Sequence, residues 1–300
     1  MKTFKPAFVL VHGGWHNKST WNKVAPLLEE QGFSVLSLDL PGAGVHAIAP
    51  SSVHTQPFDS AAFAAEPSAS AGITQVQRTQ AVVDLVRQAA LSCDGQIILV
   101  GHSAGGMTVS AVAEQVPELL GAVVYISGFL VPEGNSLLEM LQHASLSSAT
   151  SPRLFVGNPV AIGATRIHAG SADESYRALL KKSFYDDVSE SDFDQISAQL
   201  HWDEPNAGAL APSPITVGRF GSVARHYIRC TQDRAIPLTG QDHMIDSVDS
   251  ALGSKTKTHT LHSSHSPFLS QPAALSKILV AIAVESVRER HTARCQESDI

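Results

Sequence analysis

Gln96-Ile97-Ile98-Leu99-Val100-Gly101-His102-Ser103-Ala104-Gly105-Gly106 decides the reading of this chain. An apolar run of strand length enters a G-x-S-x-G turn, and a helical pattern from Met107 to Val116 leaves it. The pentapeptide alone is common by chance. Between a strand and a helix it describes a sharp turn that lifts a serine hydroxyl above a sheet. Gly101 and Gly105 carry no side chains to clash across such a turn, so Ser103 is expected to be a nucleophile.

Outward from that turn, short apolar runs alternate with helical patterns. The predicted strands are Ala7–His12, Ser34–Asp39, Gln96–Gly101, Ala122–Ile126, Arg225–Cys230 and Thr258–Leu261. Several are almost continuously apolar, as strands of a parallel sheet covered on both faces are. Helices are predicted over Trp21–Gln31, Val76–Leu91, Ala104–Gln115 and Ala273–Glu289, the last opened by Pro272. The alternation predicts a doubly wound, mostly parallel α/β sheet. Two segments interrupt it. Residues 45–72 are rich in Ala, Ser and Pro without periodicity. Residues 131–214 hold helical patches, at Ala172–Lys182 and Ser191–Leu200, and no convincing strand. The expected division is a core of residues 1–130 and 215–300 with a helical cap, 131–214, over the sheet. Residues 290–300 read as a polar, frayed tail.

Composition narrows the classes. With 21 basic and 28 acidic residues the chain carries a formal charge of −7, which argues against a nucleic-acid or anionic-membrane partner. No apolar run approaches the roughly 18 residues of a membrane span, and the short run after Lys5 lacks the features of a secretion signal. Cys93, Cys230 and Cys295 are odd in number and far apart, suggesting reduced thiols and a cytoplasmic location.

A serine needs a base, and in this architecture the acid and then the histidine follow it along the chain. Three histidines, His259, His262 and His265, occur late. The first two lie on or just after a strand. His265 lies in the loop beyond, where such sites assemble, and is the expected base. Asp233, three residues past the strand Arg225–Cys230, is the expected acid; Asp242 and Asp246 fall in a helical pattern and read as surface carboxylates. Oxyanion donors are expected from the Ala104 N–H and from the His12-Gly13-Gly14-Trp15 loop. Gly13, Trp15, Phe129, Leu130 and Trp202 are the pocket candidates, with core or cap packing as the alternative.

Three other patterns carry less. The histidine triplet has metal-like spacing but no accompanying carboxylate motif. Gly42-Ala43-Gly44-Val45-His46-Ala47 spells a dinucleotide fingerprint, yet opens the Ala/Ser/Pro excursion and not a helix. Asp186, Asp187, Glu190, Asp192 and Asp194 lack the glycine and spacing of a calcium loop; Ser189 with Asp192 looks like a capping pair.

Together, Val9-Leu10-Val11-His12-Gly13-Gly14-Trp15, Asp39-Leu40-Pro41-Gly42, Gly101 to Gly106, Cys230-Thr231-Gln232-Asp233-Arg234-Ala235-Ile236-Pro237 and His265-Ser266-Pro267-Phe268 resemble the α/β-hydrolase superfamily. More narrowly they resemble bacterial esterases related to plant methylesterases and hydroxynitrile lyases. The resemblance implies an α/β-hydrolase fold with a cap inserted after the sixth strand. It implies Ser103, Asp233 and His265 as a triad and the N–H groups of Gly14 and Ala104 as the oxyanion hole. Phe184-Tyr185-Asp186-Asp187 and His201-Trp202-Asp203-Glu204-Pro205 resemble the cap of bacterial members. The lyases carry Thr where Gly13 stands and Lys where Ser266 stands, which disfavours lyase chemistry. The resulting expectation is a carboxylic ester hydrolase acting on small, fairly apolar esters, without metal or organic cofactor, as a monomer or homodimer. A lactonase, amidase or C–C bond hydrolase on the same triad, or a binder without turnover, are the alternatives.

Overall fold

A computed structural model of the chain describes residues 5–93 and 96–297. Six strands form one parallel sheet: β1 (Ala7–Val11), β2 (Ser34–Ser37), β3 (Ile97–His102), β4 (Leu120–Ile126), β7 (Arg225–Cys230) and β8 (Lys257–Leu261). Their order is β2-β1-β3-β4-β7-β8. The two remaining strands, β5 (Ala164–Arg166) and β6 (Asp203–Pro205), pair antiparallel with each other.

Alternation along the central strands sends side chains to two faces. Val9, Leu99 and Val123 pack with Val82, Val86, Val112 and Met244 from helices Gln75–Ser92, Gly105–Gln115 and Leu238–Leu252. Phe8, Leu10, Ile98, Val100 and Val124 pack with Trp21, Leu28, Leu275, Leu279 and Ile282 on the opposite face. Both faces are therefore covered, which is why β1 and β3 are apolar at every position from Ala7 to Val11 and from Ile97 to Val100.

Three expectations need correction. Among the described residues, the segment 131–214 follows the fourth strand along the chain and not the sixth. That segment is not purely helical either. β5 and β6 are three residues each, too short for periodicity to reveal, and they are clamped by a tertiary contact. Arg166 donates from Nε and Nη2 to Asp203 Oδ1 and Oδ2 at 2.6 and 2.7 Å, and from Nη1 to the Phe63 carbonyl. Finally, the last helix runs from Pro272 to Glu297, so 290–297 continue it. No Gly or Pro interrupts the sequence there; residues 298–300 lie outside the described chain.

The excursion at 45–72 acquires structure through packing. Helix Ser60–Ala65 is capped by Asp59 and buries Phe63 against His168 and Trp202, with ring centroids 5.2 and 5.7 Å away.

Candidate active site

Ser103 follows β3 at φ +52° and precedes helix Gly105–Gln115, a backbone region that non-glycine residues rarely occupy. The turn closes tightly against β1. A Cβ on Gly105 would lie 2.5 Å from the His12 carbonyl oxygen, and one on Gly101 would lie 2.7 Å from Val109. Ser103 lies in the wall of a cavity of about 370 Å³, within the usual range for small-molecule sites.

The loops beyond β7 and β8 bring Asp233 and His265 together. His265 Nδ1–H donates to Asp233 Oδ2 at 2.7 Å, and both residues are buried. Asp233 Oδ1 accepts from the N–H groups of Ala235 (2.7 Å) and Ile236 (2.9 Å). The Ser127 hydroxyl also donates to Oδ2, so every face of the carboxylate is engaged. Ser127 stands just past β4 at φ +40°; no sequence pattern singled it out. The His265 ring lies 4.6 Å from that of His102, which precedes Ser103, and 5.6 Å from that of Phe184 in the cavity wall. His102 Nε2–H donates to the His265 carbonyl at 3.0 Å. Ser103 Oγ makes no hydrogen bond to His265 in this structure. His259 and His262 lie away from Ser103. His259 meets His226 at 3.1 Å, and His262 meets Thr231 and Gln232 at 3.1 and 3.0 Å.

Two neutral histidines fix the loop after β1. His12 Nδ1–H donates to the Gly13 carbonyl at 2.9 Å while its Nε2 accepts from the Leu40 N–H at 3.1 Å. Burial pulls its pKa down to about 4. His16 Nδ1–H donates to the Gly14 carbonyl at 2.8 Å and its Nε2 accepts from the Tyr185 hydroxyl at 2.7 Å; burial pulls its pKa down to about 3. A trans peptide is planar, with C=O and N–H opposed. Anchoring the Gly13 carbonyl therefore turns the Gly14 N–H the other way, and Gly14 lines the cavity. Among the described residues nothing accepts from the N–H of Gly14 or of Ala104, and both residues line the same cavity as Ser103.

Of the pocket candidates, Trp15 and Phe129 line the cavity and three do not. Gly13 backs onto His102 and Ser103 behind the loop. Leu130 is fully buried in the sheet core. Trp202 packs on Phe63 and His168. Leu137, Leu138, Leu141, Met107, Phe155 and Phe184 supply most of the apolar wall instead. Arg78 and Glu204, an ion pair in the same wall, were not anticipated. Arg78 shares a helix face with Val82 and Val86, and a charge on that apolar stripe was the available signal.

The other patterns take structural places. Gly44–His46 forms one 3₁₀ turn, and the Gly44 N–H donates to His201 Nε2 at 2.7 Å. In the acidic stretch, Asp186, Asp192 and Asp194 pair with Arg234, Lys23 and Arg177, Glu190 pairs with Lys181, and Asp187 accepts from Ser264. Burial pushes the Cys230 thiol up.

Residues 8–278 match the alpha/beta hydrolase family. A putative chloroplastic methylesterase of Arabidopsis thaliana is 29% identical over 92% of this chain, which spans 63% of that protein's length. The polyneuridine aldehyde esterase of Rauvolfia serpentina is 27% identical, over 92% of this chain and 95% of its own. Among solved structures, a pyrethroid hydrolase from Sphingobium faniae superposes with a TM-score of 0.71 at 19% identity, over 93% of this chain and 97% of its own.

Proposed function

Since this chain belongs to the alpha/beta hydrolase family, we propose that it cleaves small, fairly apolar carboxylic esters through an acyl-enzyme on Ser103. The observation that carries this reading is Ser103 at φ +52° in the wall of an apolar cavity, beside two backbone N–H groups with no partner among the described residues. The esterase names of two relatives support the same class.

In the proposed cycle Ser103 Oγ attacks the ester carbonyl carbon as His265 Nε2 takes its proton. The carbonyl π pair moves to oxygen, and the oxyanion accepts from the N–H groups of Gly14 and Ala104. Asp233 keeps His265 in the Nδ1–H tautomer and stabilises the imidazolium. The intermediate collapses, the C–O bond to the alcohol breaks, and the departing oxygen takes the proton from His265. Water then attacks the acyl-serine, gives a proton to His265, and the second collapse returns that proton to Ser103 and frees the acid. The hydrogen bond between Ser103 and His265 must form in the substrate complex, where catalytic hydrogen bonds tighten.

The test is a panel of nitrophenyl esters of rising acyl length, with wild type and Ser103→Ala. Turnover of short esters, with a loss on the scale of roughly 10⁶ in the variant, is expected. Wild type inert on every ester, or a variant that keeps its rate, would overturn the proposal in favour of the lactone, amide, C–C bond or binding readings.

A further inference from the structure

Trp15 follows the proposed oxyanion donor Gly14 and has φ +60°, an outlier for a bulky residue. Three groups from the segment inserted between β4 and β7 hold it there. The Trp15 N–H donates to Glu204 Oε2 at 3.1 Å, its indole Nε1–H donates to the Thr165 carbonyl at 2.9 Å, and its carbonyl accepts from the His201 N–H at 2.8 Å. Glu204 is the only one of the three that acts through a side chain. The peptide joining Gly14 to Trp15 is thus held at both ends, its carbonyl by His16 and its N–H by Glu204.

Glu204 sits close to the reacting region. A Cβ on Gly14 would lie 3.6 Å from Glu204 Cγ and 3.8 Å from Ala104 Cβ. A lone carboxylate there would oppose the negative charge that develops on the ester oxygen, because like charges in a dry site repel strongly. It is not alone: Arg78 Nη1 donates to Glu204 Oε1, and Arg78 Nε donates to the Pro41 carbonyl at 3.1 Å. The Arg78 side chain is only 6% exposed.

We propose that Glu204 is a positioning residue for the oxyanion site, and that Arg78 both holds it and cancels its charge at the moment the oxyanion forms. This rests on the assignment of Gly14 as an oxyanion donor. It makes the inserted segment part of the catalytic geometry, because Gly14 is aligned through a residue that the segment grips. A purely structural ion pair would show its effect in stability alone.

The experiment uses the full chain with Glu204→Gln, Glu204→Ala, Arg78→Met and the double variant Arg78→Met/Glu204→Gln. For each, kcat and KM are measured on a nitrophenyl ester, per competent site counted by stoichiometric fluorophosphonate labelling, so that any misfolded fraction drops out. Glu204→Gln keeps an oxygen acceptor for the Trp15 N–H and should hold kcat within about threefold. Glu204→Ala frees that N–H and should lower kcat roughly 10- to 100-fold at nearly constant KM. Arg78→Met leaves an uncompensated carboxylate beside the oxyanion and should lose at least as much. The double variant removes that charge and should recover most of the loss. Full kcat in Glu204→Ala, or a double variant no better than Arg78→Met, overturns this proposal while leaving the ester-hydrolase reading in place. A wild type inert toward both esters and the fluorophosphonate overturns both.

Discussion

Gly13→Ala and Gly14→Ala add the same methyl group to neighbouring residues, yet they should behave in opposite ways. A Cβ on Gly13 would lie 2.8 Å from Ser103 Cβ, 2.8 Å from His102 Nδ1 and 3.2 Å from the His102 carbonyl oxygen. None of these is the free end of a flexible side chain. His102 is fully buried, its Nε2 is tied to the His265 carbonyl, and Ser103 is held in the turn after β3. Ordinary contact begins near 3.4 Å, so the loop and the Ser103 turn must part by about 0.6 Å. Displacements of about 1 Å at a reacting centre cost about 100-fold in rate, and overpacking of a filled site costs about 1–3 kcal/mol in stability. Gly13→Ala should therefore lose roughly 10- to 100-fold in kcat and a measurable share of its urea resistance. A Cβ on Gly14 meets nothing closer than 3.6 Å, so Gly14→Ala should stay within about threefold of wild type. Both are read on one nitrophenyl ester, with urea melts alongside. Equal loss in the two variants, or a fully active Gly13→Ala, would refute the account of the loop.

Acid should unfold the protein through its buried neutral histidines. His12 and His16 titrate at about 4 and about 3 when folded, and His102 is also held well below its ordinary value by burial, whereas an unfolded histidine titrates near 6.5. Burial lowers His226 to about 4 as well, so unfolding near pH 5 takes up about four protons, and stability, full above pH 6.5, falls by roughly 5 kcal/mol per pH unit below it. The loss levels off only as the folded groups themselves protonate. Urea midpoints measured from pH 7 to pH 4.5 should fall steeply, and a flat series would contradict the neutral assignments. Arg166→Met should leave Asp203 buried without its partner and cost about 3–5 kcal/mol, read as a lower urea midpoint; an unchanged midpoint would show that the β5–β6 clamp is dispensable.

What the sequence revealed was local. Ser103 was legible because its turn, the strand before it and the helix after it are contiguous. Asp233 and His265 were legible because each follows a strand whose end marks the same edge of the sheet. Ser127 and Glu204 were not, and Arg78 showed only as a charge on the apolar stripe of its helix. Ser127 reaches Asp233 across 106 residues and Glu204 reaches Trp15 across 189, and nothing in either local pattern records such a partner. The β5–β6 pair failed for a related reason, since three residues cannot display a period of two. Its stability comes from Arg166 spanning both strands. Leu130 and Trp202 show the limit of composition: large apolar residues near a motif served the core in one case and the excursion in the other.

Treating the protein with a fluorophosphonate and locating the adduct by mass spectrometry of the digested chain shows whether Ser103 is the nucleophile. A nucleophilic Ser103 gives one adduct per chain, on the peptide that contains it, absent in Ser103→Ala and formed far more slowly in His265→Ala. An adduct on another residue, or ester turnover by a protein that never labels at Ser103, would contradict it.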